Sequence, residues 1–392
     1  MKVFFLLIAY SNVNTDTNMY TDLTNEFLKN GHDVYVAAPG LGSTRMNIEG
    51  GIHVLRIETL PLFNTSIIKK GIANILLPYQ YKHAINRYFK RIRFDLIITT
   101  TPPVTFIGTV GMLKKKTKAK VYLILRDIFP QNAKDLGLIK SNLIFNYFRS
   151  KEKKLYQIAD SIGCMSNKNI DYVHAHNPEV DIDKLHLLPN WSNINGTFKN
   201  SLNIKLKYEL KDKFIAIFGG NFGKPQKIEF LIEVAERLIE NKDILFLLVG
   251  GGTELKEIKK MVLDKDLQNV RIIDQLPRDQ YLELLKECHV GLVNLSDKFT
   301  IPNIPSRTLS YWALKLPVLA AIDKNTDFGE ILDKCDAGLW SITGDTDAYI
   351  KNLLTLYNNP QKRRQMGENG YNYLSVELNS GIAYNTIISF IL

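Results

Sequence analysis

Three stretches of the chain combine residue types suited to handling anions. In Phe214-Ile-Ala-Ile-Phe-Gly-Gly-Asn-Phe-Gly-Lys-Pro-Gln226 an apolar run, Phe214 to Phe218, stops abruptly at Gly219-Gly220-Asn221-Phe222-Gly223. Apolar residues at helical spacing follow (Ile228, Leu231, Ile232, Ala235). Strand, glycine turn and helix start is where open α/β sheets hold phosphates: glycine lets the backbone approach the ligand, and free N–H groups at the helix start favour negative charge. The same residues also suit an ordinary strand-to-helix turn that needs glycine for its dihedrals alone. In Asn303-Ile304-Pro305-Ser306-Arg307-Thr308, Ser306 is placed to cap a helix, so that first-turn amides and Arg307 could hold a second phosphate group. In Leu125-Arg126-Asp127-Ile128-Phe129-Pro130 an Arg-Asp pair ends an apolar strand. Asp127 suits a base or a hydroxyl-orienting group and Arg126 an anion contact, with a structural ion pair as the alternative.

Other motifs carry less. Gly250-Gly251-Gly252-Thr253 follows an apolar run but lacks the third glycine of a dinucleotide fingerprint and begins no domain. Asp181-Ile182-Asp183 and Asp345-Thr346-Asp347 match the acidic triplet of metal-dependent transferases. The first lies in a polar loop before Lys184 and the second near a helix start, so both are expected to be loop charges. His174 and His176 have no Cys or carboxylate ligands nearby, so no metal site is expected.

A scaffold must position these stretches. At 392 residues the chain suits two domains, and 45% hydrophobic with 23% charged residues are the proportions of a folded globular protein. Cys164, Cys288 and Cys335 are too widely spaced for a disulfide framework or zinc site, which points to a reducing compartment. The net charge of +10 is unevenly placed: residues 1–195 hold 25 Lys and Arg against 15 Asp and Glu, and residues 196–392 hold 25 against 25. The first half therefore faces something anionic, phospholipid or nucleic acid. Met1-Lys2 before Val3–Ala9 has the look of a secretion signal, but the run is short and polar residues follow at once, so a buried first strand is expected. No segment approaches the roughly 18–20 apolar residues of a membrane span.

Taken in order, Val3–Ala9, a polar turn, a helix over Met19–Lys29, Gly31-His32-Asp33 and a strand at Val34–Ala38 read as a βαβ unit. Strands follow at Val54–Ile57, Leu96–Thr99, Val121–Leu125 and Ile162–Met165, and the polar stretch Ser192–Asn203 reads as a linker. A second set of strands follows: Phe214–Phe218, Ile244–Val249, Val270–Ile273, Val290–Leu295, Val318–Ile322 and Gly338–Ser341. Two doubly wound, mostly parallel sheets are predicted. Basic charge concentrates in Ile67–Phe94, read as two amphipathic pieces separated at Pro78, and in Lys114-Lys115-Lys116 with Lys118 and Lys120. Such segments suit an anionic membrane surface, or simply solvated helix faces. The positive charge is not interleaved with a stacking platform, so no nucleic acid is expected.

Gly31-His32-Asp33-Val34, Arg126-Asp127-Ile128-Phe129-Pro130, the turn Gly219–Gln226, Gly250–Gly252, Leu276-Pro277 with Tyr281, Pro305-Ser306-Arg307 and Pro317-Val318 occur along the whole chain in the order seen in one family. The ordered set resembles the two-domain GT-B glycosyltransferases of family 4, and within it the branch that adds amino sugars in bacterial capsule and O-antigen assembly. The resemblance implies an acceptor-binding Rossmann-like domain over residues 1–195, completed by a C-terminal helix at 376–392, and a nucleotide-sugar domain over 204–375, with chemistry in the cleft. It implies donor contacts at Gly220, Asn221, Phe222, Gly223, Gln226, Gly251, Leu276, Tyr281, Pro305, Ser306, Arg307, Thr308 and Ser310, catalytic roles for Asp127 and Arg126, and neither metal nor cofactor.

Where many family members carry an Arg and a Lys on the donor diphosphate, this chain has Asn221 and Gln226, which bring no charge. The family's ribose-binding carboxylate falls on Ser310, an earlier carboxylate on Pro302, and Lys315 stands at a usual glycine. Arg307 must then supply more of the neutralisation, with Arg126 or Lys224 as helpers. The expected activity is retaining, metal-independent transfer of a sugar, an N-acetylated amino sugar from a UDP donor, to a polyprenyl-diphosphate-linked glycan at the inner face of the bacterial plasma membrane. The alternatives are a nucleotide-sugar epimerase on the same fold and a non-enzymatic basic nucleotide- or nucleic-acid-binding protein.

Overall fold

The apolar runs become strands that are covered on both sides. Along Phe214–Asn221, Phe214, Ala216 and Phe218 pack into one core layer while Ile215 and Ile217 pack into the other. This alternation explains why the run has no polar position. The structure, a computed structural model, describes residues 1–14, 17–61, 67–193, 208 and 210–392, with only the backbone at 67–70. Most of the expected linker at Ser192–Asn203, and the side chains of Ile68, Lys69 and Lys70, lie outside the described residues.

The chain divides into two units, Met1–Asn193 with Asn379–Leu392, and Ile194–Leu378. The boundaries between the units fall at 193 and 379. The first unit holds an eight-stranded sheet: β1 (Lys2–Leu6), β2 (Asp33–Gly40), β3 (Arg45–Glu49), β4 (Ile52–Glu58), β5 (Leu96–Thr101), β6 (Lys120–Leu125), β7 (Ser161–Cys164) and β8 (Leu185–Leu187). Its order is β3-β4-β2-β1-β5-β6-β7-β8, parallel except for the β3–β4 pair. The β3–β4 hairpin escaped sequence reading because Arg45–Glu49 is a half-exposed edge strand with only Met46 and Ile48 apolar.

The second unit holds β9 (Phe214–Asn221), β10 (Ile244–Gly251), β11 (Val270–Ile273), β12 (Val290–Asn294), β13 (Val318–Ile322) and β14 (Gly338–Ile342), in the all-parallel order β11-β10-β9-β12-β13-β14. Both are doubly wound sheets, as expected.

Pro78 does not divide its helix. Ile67–Tyr88 is one continuous helix with Pro78 inside it. Proline lacks the N–H that would bond the Asn74 carbonyl four residues back. Here the Thr105 hydroxyl donates to that carbonyl at 3.2 Å, so the helix continues through the missing bond.

The last helix, Ser380–Ser389, belongs to the first unit and packs on the Met19–Lys29 helix. Ala383 and Ile387 enter the core of that unit, and the Tyr384 hydroxyl meets His32 Nε2 at 2.9 Å. Beyond it Phe390 stacks on His186 at 3.5 Å between ring centroids. Dividing the charge by unit keeps the asymmetry, because no charged residue follows Glu377: the whole +10 falls on the first unit. Among the described residues no helix is long and apolar enough to cross a membrane.

Candidate functional site

In the second unit the strand order reverses at β9 and β12. On one side β9 pairs with β10 along its whole length, from Ile244↔Phe214 to Gly251↔Asn221. On the other it meets β12 only at Val290↔Ala216 and Gly291↔Ile217. Beyond those pairs the two strands part, and the crevice outside their C-terminal ends is where open α/β sheets take ligands. The Tyr311 hydroxyl fills the parting: it accepts from the Gly219 N–H at 3.2 Å and offers its proton to the carbonyls of Ile217 and Leu292 at 3.3 and 3.2 Å. Tyr281 hydrogen-bonds to Tyr311 and occupies the space a side chain at Gly219 would need, a Cβ there meeting its hydroxyl at 1.9 Å. Burial raises both phenols above their ordinary values. Tyr311→Phe keeps the ring and removes these bonds. We expect stability to fall by about 1–2 kcal/mol, read from urea unfolding, and KM for the donor to rise more than kcat falls.

Arg307 lies over this crevice. Its guanidinium is 4.1 Å from the Phe218 ring centroid and 3.6 Å from the point a Cβ on Gly220 would occupy. Its Nη1 is buried and has no hydrogen-bond partner among the described residues. Burial pulls the guanidinium below its ordinary value and the neighbouring phenols act the other way. A buried, unfilled N–H of a cation beside a bare glycine backbone is a vacancy for an anionic oxygen. Gly250, set aside as a nucleotide fingerprint, belongs to the same wall: its φ is 149°, and a Cβ there would meet the Gly220 carbonyl at 1.9 Å.

Several of the residues expected at the donor site have structural roles of their own. β9 runs on through both glycines to Asn221, and a short 3-10 turn at Lys224–Gln226 precedes the Ile228–Arg237 helix, so the glycines do not open a helix. Phe222 is core, with its side chain fully buried beside Phe218. With its amide turned, Gln226 donates to the carbonyls of Gly223 and Asn221, both at 3.2 Å, and thereby staples the turn. Ser306 is exposed and caps nothing; the helix is Thr308–Ala313, and the amides of residues 308–311 already bond to Pro305, Ser306 and Arg307 carbonyls. The Arg307 guanidinium, rather than those amides, carries the unfilled donor. Pro305 is buried, Leu276 packs beside the core, Ser310 is half-buried, and Thr308 buries an unpartnered Oγ1. Asn221 is exposed at the end of β9, opposite Gly251 in the register.

The first unit presents a second polar centre, also at a strand end. Arg126 follows β6, and its N–H donates to Thr101 Oγ1 at 3.1 Å at the end of β5. Its guanidinium is 4.5 Å from the Trp191 ring centroid, Nη1 donates to Asn190 Oδ1, and the Tyr20 hydroxyl lies against it. Asp127 beside it is half-buried, and among the described residues nothing donates a hydrogen bond to its carboxylate. Burial raises its pKa from 3.8 to about 6, with Arg126 opposing the rise. An ionisable group held near neutrality without a structural partner is fitted to exchange a proton. No contact within 4.0 Å joins the Arg126 and Asp127 side chains, and the attraction between them acts without a direct ion pair.

The acidic triplets are helix caps. Asp181 accepts from the Asp183 N–H at 3.1 Å, Asp345 accepts from the Ala348 N–H at 2.9 Å, and Asp347 pairs with Arg237 at 2.6 Å. Among the described residues no three His, Cys, Asp or Glu are grouped to hold a metal ion. Sequence reasoning missed Tyr20, Asn190, Trp191, Tyr311 and Asn294. Asn294 ends β12 fully buried, with both amide atoms unpartnered among the described residues. A buried Asn closing an apolar strand at a reversal of strand order was the signal available for it.

Comparison with known proteins agrees with this architecture. Residues 17–195 match the family described as Glycosyltransferase Family 4, and residues 201–373 match Glycosyl transferases group 1. A Pseudomonas aeruginosa protein named as a glycosyltransferase, WbjE, is 23% identical over 74% of this chain and 72% of its own length. An Escherichia coli strain K12 protein named as a colanic acid biosynthesis glycosyl transferase, WcaI, is 23% identical over 62% of this chain, which spans 61% of that protein. The solved structure of Anabaena HepE in complex with UDP and glucose superposes with a TM-score of 0.71 at 14% identity, covering 99% of this chain and 98% of that one. The protein is a glycosyltransferase of the GT-B fold, with a family 4 first half and a group 1 second half.

Proposed function

We propose that the chain transfers a sugar, an N-acetylated amino sugar from a UDP donor, to a lipid-linked glycan during cell-surface polysaccharide assembly (capsule or O-antigen). The observation that carries the donor half is the buried Arg307 guanidinium with its unfilled Nη1 beside Gly220, at the point where strand order reverses. A departing diphosphate gains charge as the glycosidic bond breaks, and a fixed cation beside bare backbone stabilises that charge more than it stabilises the intact donor. The solved structure with UDP and glucose supports a UDP-linked donor, and the relative named for colanic acid biosynthesis supports a role in polysaccharide assembly. Asp127, ionised above about pH 6, orients or deprotonates the acceptor hydroxyl. The charge confined to the first unit suits an acceptor carrying a polyprenyl diphosphate and an anionic membrane surface at the inner face of the bacterial plasma membrane.

In this reading neither metal nor cofactor takes part, and excess chelator leaves the rate unchanged. Retention of anomeric configuration rests on the family resemblance and is read from the anomeric coupling constant of the product. The deciding experiment is a panel of nucleotide sugars in ligand-detected NMR, followed by transfer to a lipid-linked acceptor. Conversion of the sugar without any acceptor would replace this reading with an epimerase.

A further inference from the structure

The Asn142–Ile158 helix packs its later turns on the fold and leaves its first turns uncovered. Glu152, Leu155 and Tyr156 are buried, whereas Leu143 is 84%, Ile144 51% and Tyr147 46% exposed. Leu138, on the approach to this helix, is 47% exposed. The Ile67–Tyr88 helix instead buries one face along its length and leaves the other uncovered. Its Ala73, Leu77, Tyr81 and Ile85 are buried, while Ile72, Ile75 and Leu76 are exposed by 48, 49 and 42% and Tyr79 by 70%. Isolated exposed apolar residues are ordinary; two neighbouring helices with clustered ones are not.

The two clusters share one edge of the fold. The connections β4 to β5, β5 to β6 and β6 to β7 all move the same way across the sheet, so right-handed crossovers place their helices on one face. Ile67–Tyr88 and Asn142–Ile158 both pack against the Val104–Phe106 turn and the Ile107–Thr117 helix. Such helices run antiparallel to their strands, so their first turns lie at the C-terminal edge of the sheet, the edge bearing Arg126 and Asp127.

Cations frame the clusters. No acidic residue occurs between Glu58 and Asp95, and Lys82, Arg87 and Lys90 are exposed there. Lys134 Nζ lies 4.4 Å from the Phe145 ring centroid and Lys151 Nζ 5.3 Å from that of Tyr147. By contrast Lys114, in the cluster marked by sequence, is tied to Asp160 at 2.8 Å. Exposed apolar side chains with rings and lysines beside them are the residue types that meet the acyl and phosphate regions of a bilayer surface. A second copy of the chain would bring another positive surface against this one.

We propose that Leu138–Tyr147, together with Ile72–Tyr79, is the face that inserts into the surface of an anionic bilayer, with the start of the Asn142–Ile158 helix as the apolar wedge. It rests on the lipid-linked acceptor reading for its purpose, which is to bring the Asp127 edge to the membrane, and not for its evidence.

Flotation of the full chain with vesicles of phosphatidylethanolamine and phosphatidylglycerol, and with phosphatidylcholine alone, tests it at low and high salt. Wild type should float with the anionic vesicles and a fraction should stay bound in high salt. Leu143→Ser with Ile144→Ser should lower partitioning about tenfold or more and remove the salt-resistant fraction. Leu263→Ser, at a 79% exposed position in the second unit, should change nothing. If the double variant unfolds, the single Leu143→Asn serves, since so exposed a side chain contributes little to the core. Equal flotation of variant and wild type overturns the proposal, as does a wild-type dimer in light scattering that the variant converts to monomer. Transfer to a water-soluble acceptor separates the two ideas. Flotation without any transfer removes the proposed function alone, and normal transfer without flotation removes this face alone.

Discussion

Arg307→Ala should lower turnover by about two orders of magnitude or more while the protein stays folded. Among the described residues the atoms nearest the position of a Gly220 Cβ are those of the Arg307 guanidinium, at 3.6 Å. Asn221 and Gln226 stand at the positions where family members carry charge, and Gln226 is committed to its own turn. In the proposed mechanism the growing charge on the leaving diphosphate therefore leans chiefly on this side chain. Because that interaction strengthens in the transition state, kcat should fall more than KM rises. Arg307→Lys should recover part of the loss, since it restores charge without the planar fork. Near-native turnover by Arg307→Ala in a steady-state assay would remove Arg307 from the mechanism. Circular dichroism checks the fold, because the residue packs over Phe218.

Asp127→Asn should also cost about two orders of magnitude or more in turnover, and it should do so while stabilising the protein. The carboxyl titrates at about 6 in the fold against 3.8 when unperturbed, because burial disfavours its charge and no donor compensates. The folded state then holds a proton more tightly than the unfolded one. Its contribution is fully favourable below about pH 3.8 and is lost as pH rises to about 6, leaving a cost on the order of 3 kcal/mol at neutral pH. The isosteric Asn removes that cost, so its melting point should exceed wild type at pH 7.5 and match it near pH 4. Wild-type kcat/KM should fall about tenfold per pH unit below about 6, and the residual rate of the variant should not follow that slope. A variant that is inactive but no more stable would mean that Asp127 is not a strained, uncompensated charge. A variant that is active would remove it from catalysis.

Loss of function with gain of stability is the behaviour of a group held for chemistry, and it separates Asp127 from the buried ion pairs of the same unit. Glu49 and Glu152 are also buried, but Arg56 and Arg149 meet them at 2.5 and 2.6 Å. Spacing alone marked Arg126-Asp127 and could not tell it from such a pair. Only the surroundings show that Arg126 is held by Trp191 and Asn190 from the far end of the unit and by Tyr20 from its first helix.

Elements followed closely from local patterning. Continuous apolar runs became doubly covered strands, the period of Met19–Lys29 became a helix with those ends, and the ordered motifs identified the family. What failed to carry over were statements that depend on partners distant in sequence. Pro78 signalled a break, but a hydroxyl from Thr105 mends it. Ser306 looked like a cap, yet amides 308–311 are satisfied by carbonyls of their own turn.

By itself the sequence determined the two sheets, their winding, the residue types at the strand ends and the placement of all net charge in the first unit. These rest on periodicity and composition, which act over a few residues. The tertiary structure decided which groups remain without partners among the described residues: Arg307 Nη1, the Asp127 carboxylate and the apolar first turns of the Asn142–Ile158 helix. Whether a polar or apolar group is satisfied depends on what packs against it from elsewhere in the chain, and a linear pattern does not contain that.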